Sequence, residues 1–169
     1  MRATVRLARP IDDDDLRAVA AQNPGWLVER VGGAIVLAPT SADGARRNAK
    51  LTALLVAWAD ANGYIAFDSN GGFMLPGGDV LAPDAALVER SRWELLDARM
   101  RDSFAPIVPS VVVELVSRTD RKRDVETTCV LWFESGARCV VLLDPYAGTV
   151  RTWGEAPAGF LEDWSSVLA

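Results

Sequence analysis

The run SVVVELVS, residues 110–117, limits the possible folds more than any other stretch of the chain. Its apolar positions do not alternate with polar ones, so a strand here must be covered on both faces. Such a strand belongs to the middle of a sheet flanked by helices. Yet Glu114 stands at its centre. An unpartnered carboxylate buried there costs on the order of several kcal/mol, or loses its charge. The sequence therefore predicts a central strand, and a reason for the acid within it.

The neighbouring segments supply the layers. Residues 12–23 read as a short helix with an acid-rich first turn, stopped by Pro24. GWLVERVGGAIVLAPT reads as a hairpin around Gly32 and Gly33. In residues 41–63, Leu51, Leu54, Leu55 and Trp58 recur at helical spacing, and Asn62-Gly63 ends the helix. YIAFDSNGGFML is a strand with a glycine break, and DVLAPDAALVER is another strand. SRWELLDARMRDSF reads as one helix with Ser91 as N-cap. A helix over about 121–135 ends at Gly136, and RCVVLLDP with TVRTW forms a closing strand pair. This order predicts an α/β fold, a mixed central sheet flanked by helices. Residues 1–169 are expected to form one domain, with 1–24 an N-terminal helix extension.

The chain has 169 residues, half of them hydrophobic, which is enough for a single core. No apolar run approaches the length of a membrane span. The start has no apolar segment of a secretory signal, so a cytoplasmic location is expected. With no histidine and two cysteines, Cys129 and Cys139, a structural zinc site is nearly excluded, and reduced, packed thiols are expected. A serine–histidine triad is impossible for the same reason. Trp58 and Trp132 read as core, while Trp26, Trp153 and Trp164 could cover an interface, although a core rim is the commoner fate. The net charge of −5 opposes broad, sequence-blind affinity for nucleic acid, but not a local basic cleft. ARRNAK at 45–50, with Arg46, Arg47 and Lys50, forms one basic cluster, and RTDRKR at 118–123, with Arg118, Arg121, Lys122 and Arg123, another. Each is either a solvated face or a weak nucleic-acid contact.

Asp84 lies in LAPDAALV, directly after Pro83 in an otherwise apolar strand. Alone, it would be a turn residue or an arginine partner. Two acids on neighbouring strands suggest more, because a hard divalent cation takes oxygen ligands and needs only one or two carboxylates. Such a cation can polarise a phosphodiester and activate water.

From about residue 25 to 153 the chain resembles the Uma2 family, also called DUF820, of the PD-(D/E)XK nuclease superfamily. The resemblance rests on GARRN opening the first long helix, FDSNGGFMLPGG, APDAALVERSRWELL, FAPIVPSVVVELVS, the spacing of Asp120 to Gly136, and VVLLDP. It implies a restriction endonuclease-like core and a metal-dependent DNA endonuclease, with Asp84 and Glu114 as ligands of Mg2+ or Mn2+. The backbone carbonyl of Leu115 would be a possible third oxygen. A homodimer is also plausible on this resemblance.

In the family the motif lysine is typically displaced onto the following helix, eight residues after Asp120 and eight before Gly136. Thr128 stands there. It shares a helical stripe with Val125, Cys129 and Trp132, so the slot faces the sheet. A threonine offers no cation to a phosphate. Lys50 and Lys122 are the only lysines, and either could serve instead. Arg118 also stands where the family usually has proline after Ser117. The alternative is therefore a catalytically impaired nuclease fold, kept as a nucleic-acid-binding or protein-assembly module.

Overall fold

The computed structural model describes residues 3–39, 41–118, 120–160 and 163–169. Its elements run β1 (Ala3–Val5), α1 (Asp13–Gln22), β2 (Trp26–Val31), β3 (Ala34–Pro39), α2 (Ala42–Asn62), β4 (Tyr64–Asp68), β5 (Phe73–Met74), β6 (Val80–Leu81), β7 (Ala85–Glu89), α3 (Arg90–Glu94), α4 (Ala98–Arg101), β8 (Val111–Leu115), α5 (Lys122–Glu134), β9 (Cys139–Asp144), β10 (Thr149–Gly154) and α6 (Ser165–Leu168).

The strands make two five-stranded sheets, ordered β10-β9-β8-β7-β4 and β1-β3-β2-β6-β5. The expected mixed central sheet is the first of these. Its β8 and β9 run parallel, joined through α5, and its other pairs are antiparallel. Every residue of β8 is buried, as the unbroken apolar run requires. Val111, Val113 and Leu115 pack under Leu51, Leu55 and Ala59 of α2. Val112 and Val116 pack against Val125, Cys129 and Trp132 of α5, together with Phe73 and Leu81 from the second sheet and Leu75 just after β5. The alternation of a strand thus distributes β8 between two helices. Cys129 and Cys139 are buried and free, as expected of packed thiols.

The N-terminal hairpin forms where expected. Gly32 and Gly33 both have positive φ, 54° and 69°, the backbone that a two-residue turn between twisted strands demands. The hairpin belongs to a larger sheet than the sequence suggested. β1 pairs with β3, and β6 pairs with β2 and β5. Leu16 of α1 is buried with Ile11, Ile35, Leu37 and Val80.

Three segments differ from the sequence reading. YIAFDSNGGFML is not one broken strand: β4 lies in the central sheet and β5 in the second. DVLAPDAALVER is not one strand: β6 lies in the second sheet and β7 in the central one, with Ala82-Pro83-Asp84 crossing between them. Pro83 lacks the N–H that a continuous ladder would use there. SRWELLDARMRDSF is not one helix either. Ser91 lies inside α3, whose cap position is Glu89 without a side-chain bond, and Asp97 recaps the chain as α4 by accepting from Met100 N. An N-cap residue mid-segment favours a restart over continuation. Trp164 is buried with Phe160 and Val167 in the α2-side core, the commoner of its two expected fates.

Candidate active site

The crossover between the sheets sets the position of Asp84. Ala85 pairs with Val113 and Ala86 with Val112, so continuing that register by one places Asp84 opposite Glu114. Both acids thus lie at the same end of the central sheet, where β7 begins and β8 ends. Asp84 Oδ2 accepts the Leu115 N–H at 2.7 Å, and Oδ1 accepts from Asn48 Nδ2 of α2 at 2.9 Å. Burial pushes the Asp84 carboxyl up to about 6; the Asn48 and Leu115 donors pull against this, and the negative Asp120 and Glu29 add to it.

Glu114 is only 8 % exposed. Its Oε1 accepts from the indole Nε1 of Trp132 at 2.7 Å. Trp132, fully buried on α5, is therefore both core and polar partner, and a buried indole N–H usually needs such an acceptor. The sequence marks Trp132 as core but not as the partner of Glu114.

Both acids line a cavity of about 1080 Å³, together with Asn48, Leu115, Thr128, Asp120 and Glu29. Glu29, buried on β2, accepts the Ala82 N–H at 3.2 Å and so ties the second sheet to the crossover. Thr128 lines the cavity as its stripe predicts, and its hydroxyl donates to the Asp124 carbonyl at 3.2 Å. Thr128 therefore faces the cavity and brings no charge to it.

The lysines point elsewhere. Lys122 Nζ contacts Asp144 Oδ2 at 2.9 Å, and Lys50 Nζ donates to the Ser166 carbonyl at 3.0 Å. Neither lines the cavity. Arg46 pairs with Asp43 at 3.1 Å. Arg47 lines the cavity, but its guanidinium is buried on Asp43 and on the carbonyls of Val167 and Leu168. This part of the first basic cluster clamps the C-terminal turn. Arg121 and Arg123 are exposed at the start of α5. Arg118 lines the cavity rim, with its guanidinium 5.0 Å from the Tyr146 ring.

The donor set suits a hard divalent cation. Among the described residues no group of three or more His, Cys, Asp or Glu is arranged to hold a metal. Mg2+ does not need one, since one or two carboxylates and several waters suffice. Asn48 adds a specific sign: its Oδ1 is buried without a hydrogen-bond partner, while its Nδ2 is committed to Asp84. An orphaned amide oxygen in a cavity with two carboxylates is an acceptor without a hydrogen-bond donor, and an oxygen that a cation could use. Asn48 is the last residue of the GARRN match, but the match alone assigns it no role; a polar residue on the sheet-facing side of α2 was the available signal.

Residues 13–164 match the Uma2 family, described as "Putative restriction endonuclease". The chain belongs to the Uma2 family. A crystal structure of a putative nuclease belonging to DUF820 from Anabaena variabilis superposes with a TM-score of 0.65 at 16 % identity, covering 77 % of this chain and 73 % of that one. At this identity the likeness establishes the restriction endonuclease-like fold. No curated protein matches the sequence. Among the described residues no helix is long and apolar enough to cross a membrane.

Proposed function

We infer that this Uma2 chain is a divalent-metal-dependent nuclease acting on DNA. The observation that carries the reading is the meeting of Asp84, Glu114 and the unpartnered Asn48 Oδ1 in one cavity. Asp84 and Glu114 would hold Mg2+ or Mn2+, with the Leu115 carbonyl as a further oxygen. Such an ion supplies Lewis-acid polarisation of the phosphodiester and a more acidic bound water. The residues do the positioning. Leu115 N and Asn48 fix the Asp84 carboxylate, and Trp132 fixes that of Glu114. Rigid ligands of this kind limit the reorganisation that the reaction must wait for.

One observation favours a second reading, a catalytically impaired fold that binds nucleic acid or a protein. Thr128 fills the lysine slot, and both lysines are engaged away from the cavity. Nicking of supercoiled plasmid with Mn2+ separates the two. The nuclease reading expects nicking by the wild type, abolished in Asp84→Ala and Glu114→Ala. Wild-type inactivity, together with Mn2+-dependent nicking by Thr128→Lys, would establish the impaired scaffold instead. Equal nicking by wild type and both alanine variants would remove the site altogether.

A further inference from the structure

We propose that Arg118 is the phosphate-contacting cation of this cavity, held in place by Tyr146. The proposal rests on the nuclease reading of the same site and names the group that would meet the DNA backbone there.

Three observations carry it. The cavity wall is strongly acidic, so a phosphate entering beside Asp84, Glu114, Asp120 and Glu29 needs a fixed positive charge near it. Its two basic lining residues are Arg47 and Arg118. Arg47 is buried and held through Nε by Asp43 and through Nη1 by two backbone carbonyls. Arg118 makes no ion pair among the described residues, and its guanidinium rests over the ring of Tyr146 at 5.0 Å. All its N–H donors remain available to phosphate oxygens, in the forked geometry that suits them.

The fold explains why these two side chains meet. β8 and β9 are adjacent and parallel, so the loops leaving their carboxyl ends emerge side by side. Loops at that end of an α/β sheet are where ligands commonly bind. Arg118 follows β8, beyond Glu114; Tyr146 follows β9. Asp144 closes the second loop by accepting the N–H groups of Tyr146 and Ala147 at 3.1 and 3.0 Å, and Lys122 anchors the same carboxylate. Lys122 thus serves the cavity indirectly: it secures the turn that carries Tyr146. The ring in turn limits the freedom of the Arg118 guanidinium. An arginine in the position after Ser117 then supplies a charge that Thr128 does not.

The test is anisotropy of a short fluorescein-labelled DNA duplex across a salt series in Ca2+, run beside plasmid nicking in Mn2+. Arg118→Ala should weaken binding on the order of tenfold and lower the magnitude of the salt slope by about 1, the signature of one lost phosphate contact. Arg118→Lys should keep the slope, which also controls for any effect on folding. Tyr146→Ala should weaken binding while leaving the slope nearly unchanged. Wild-type affinity and slope in Arg118→Ala, or no duplex binding by the wild type, would overturn the proposal. Arg118-dependent binding without nicking would keep the phosphate contact and sink the nuclease reading. Nicking with an unaltered salt response in Arg118→Ala would do the reverse.

Discussion

Glu114 and Trp132 solve one problem for each other. A carboxylate on a strand covered from both sides loses its hydration, and an indole packed in the same layer loses the acceptor of its N–H. Their 2.7 Å bond satisfies one lone pair of the first and the only donor of the second. Trp132→Phe should therefore cost more than the trimmed ring volume alone. The unmade bond to a buried charged acceptor adds roughly 1–3 kcal/mol to the loss from packing. Urea unfolding would measure it, and Trp132→Phe combined with Glu114→Leu should recover part of the loss by removing the acid that lost this bond. Equal destabilisation in the single and double variants would mean that the bond contributes nothing. The acid was conspicuous in the sequence because a charge directly after three valines, in a strand covered on both faces, demands a partner. Its partner was not, since the indole sits eighteen residues away and reads as an ordinary core position. Asn48 was illegible for a similar reason: only the fold brings α2 to the start of β7.

At the scale of elements, helices with clear caps and stripes were the most legible. α2 begins at Ser41, whose side chain accepts from Gly44 N, and ends at Gly63 in the left-handed region, close to the limits its sequence suggests. The acid-rich start of α1 is likewise a full capping box between Asp12 and Asp15. Asp15 also takes both guanidinium nitrogens of Arg9, at 2.7 and 2.6 Å. The hydrogen bonds from Arg9, and then that from the Asp12 N–H, hold its carboxyl down at about 2. A group whose folded pKa is depressed stabilises the fold above its unfolded pKa and loses that contribution as pH falls. The support from Asp15 should thus be complete above about pH 4 and vanish toward pH 2. Stability against pH should be flatter in that window for Asp15→Asn, and added salt should flatten the wild type, because the pair is at the surface. An unchanged slope in the variant would mean that other carboxylates govern acid unfolding. What the elements concealed was their assignment to sheets. β6 and β7 are separated by three residues, and no local periodicity says that a strand will leave one sheet and enter another at Pro83.

For the whole molecule, that crossover matters more than any single helix. The cavity is walled by Glu29 from the second sheet, Asp84 from the crossing, Glu114 from the central sheet and Asn48 from α2. Like charges brought together by separate parts of the fold repel one another, and a divalent cation would convert that repulsion into attraction between the layers. Anything bound by the native state but not by the unfolded chain stabilises it by mass action. Mn2+ at a hundred times its dissociation constant should add about 2.7 kcal/mol, and raise the melting temperature of a chain this size on the order of 5–10 °C. Glu114→Gln is the informative variant. It keeps an acceptor for Trp132, so packing is retained, but removes one ligand charge and part of the repulsion. Without metal its melting temperature should equal or exceed that of the wild type; with Mn2+ the upward shift should be largely lost. A Glu114→Gln protein that Mn2+ stabilises as strongly as the wild type would place the ion elsewhere. One that melts far lower without metal would show that the carboxylate supports the fold itself and not a bound cation.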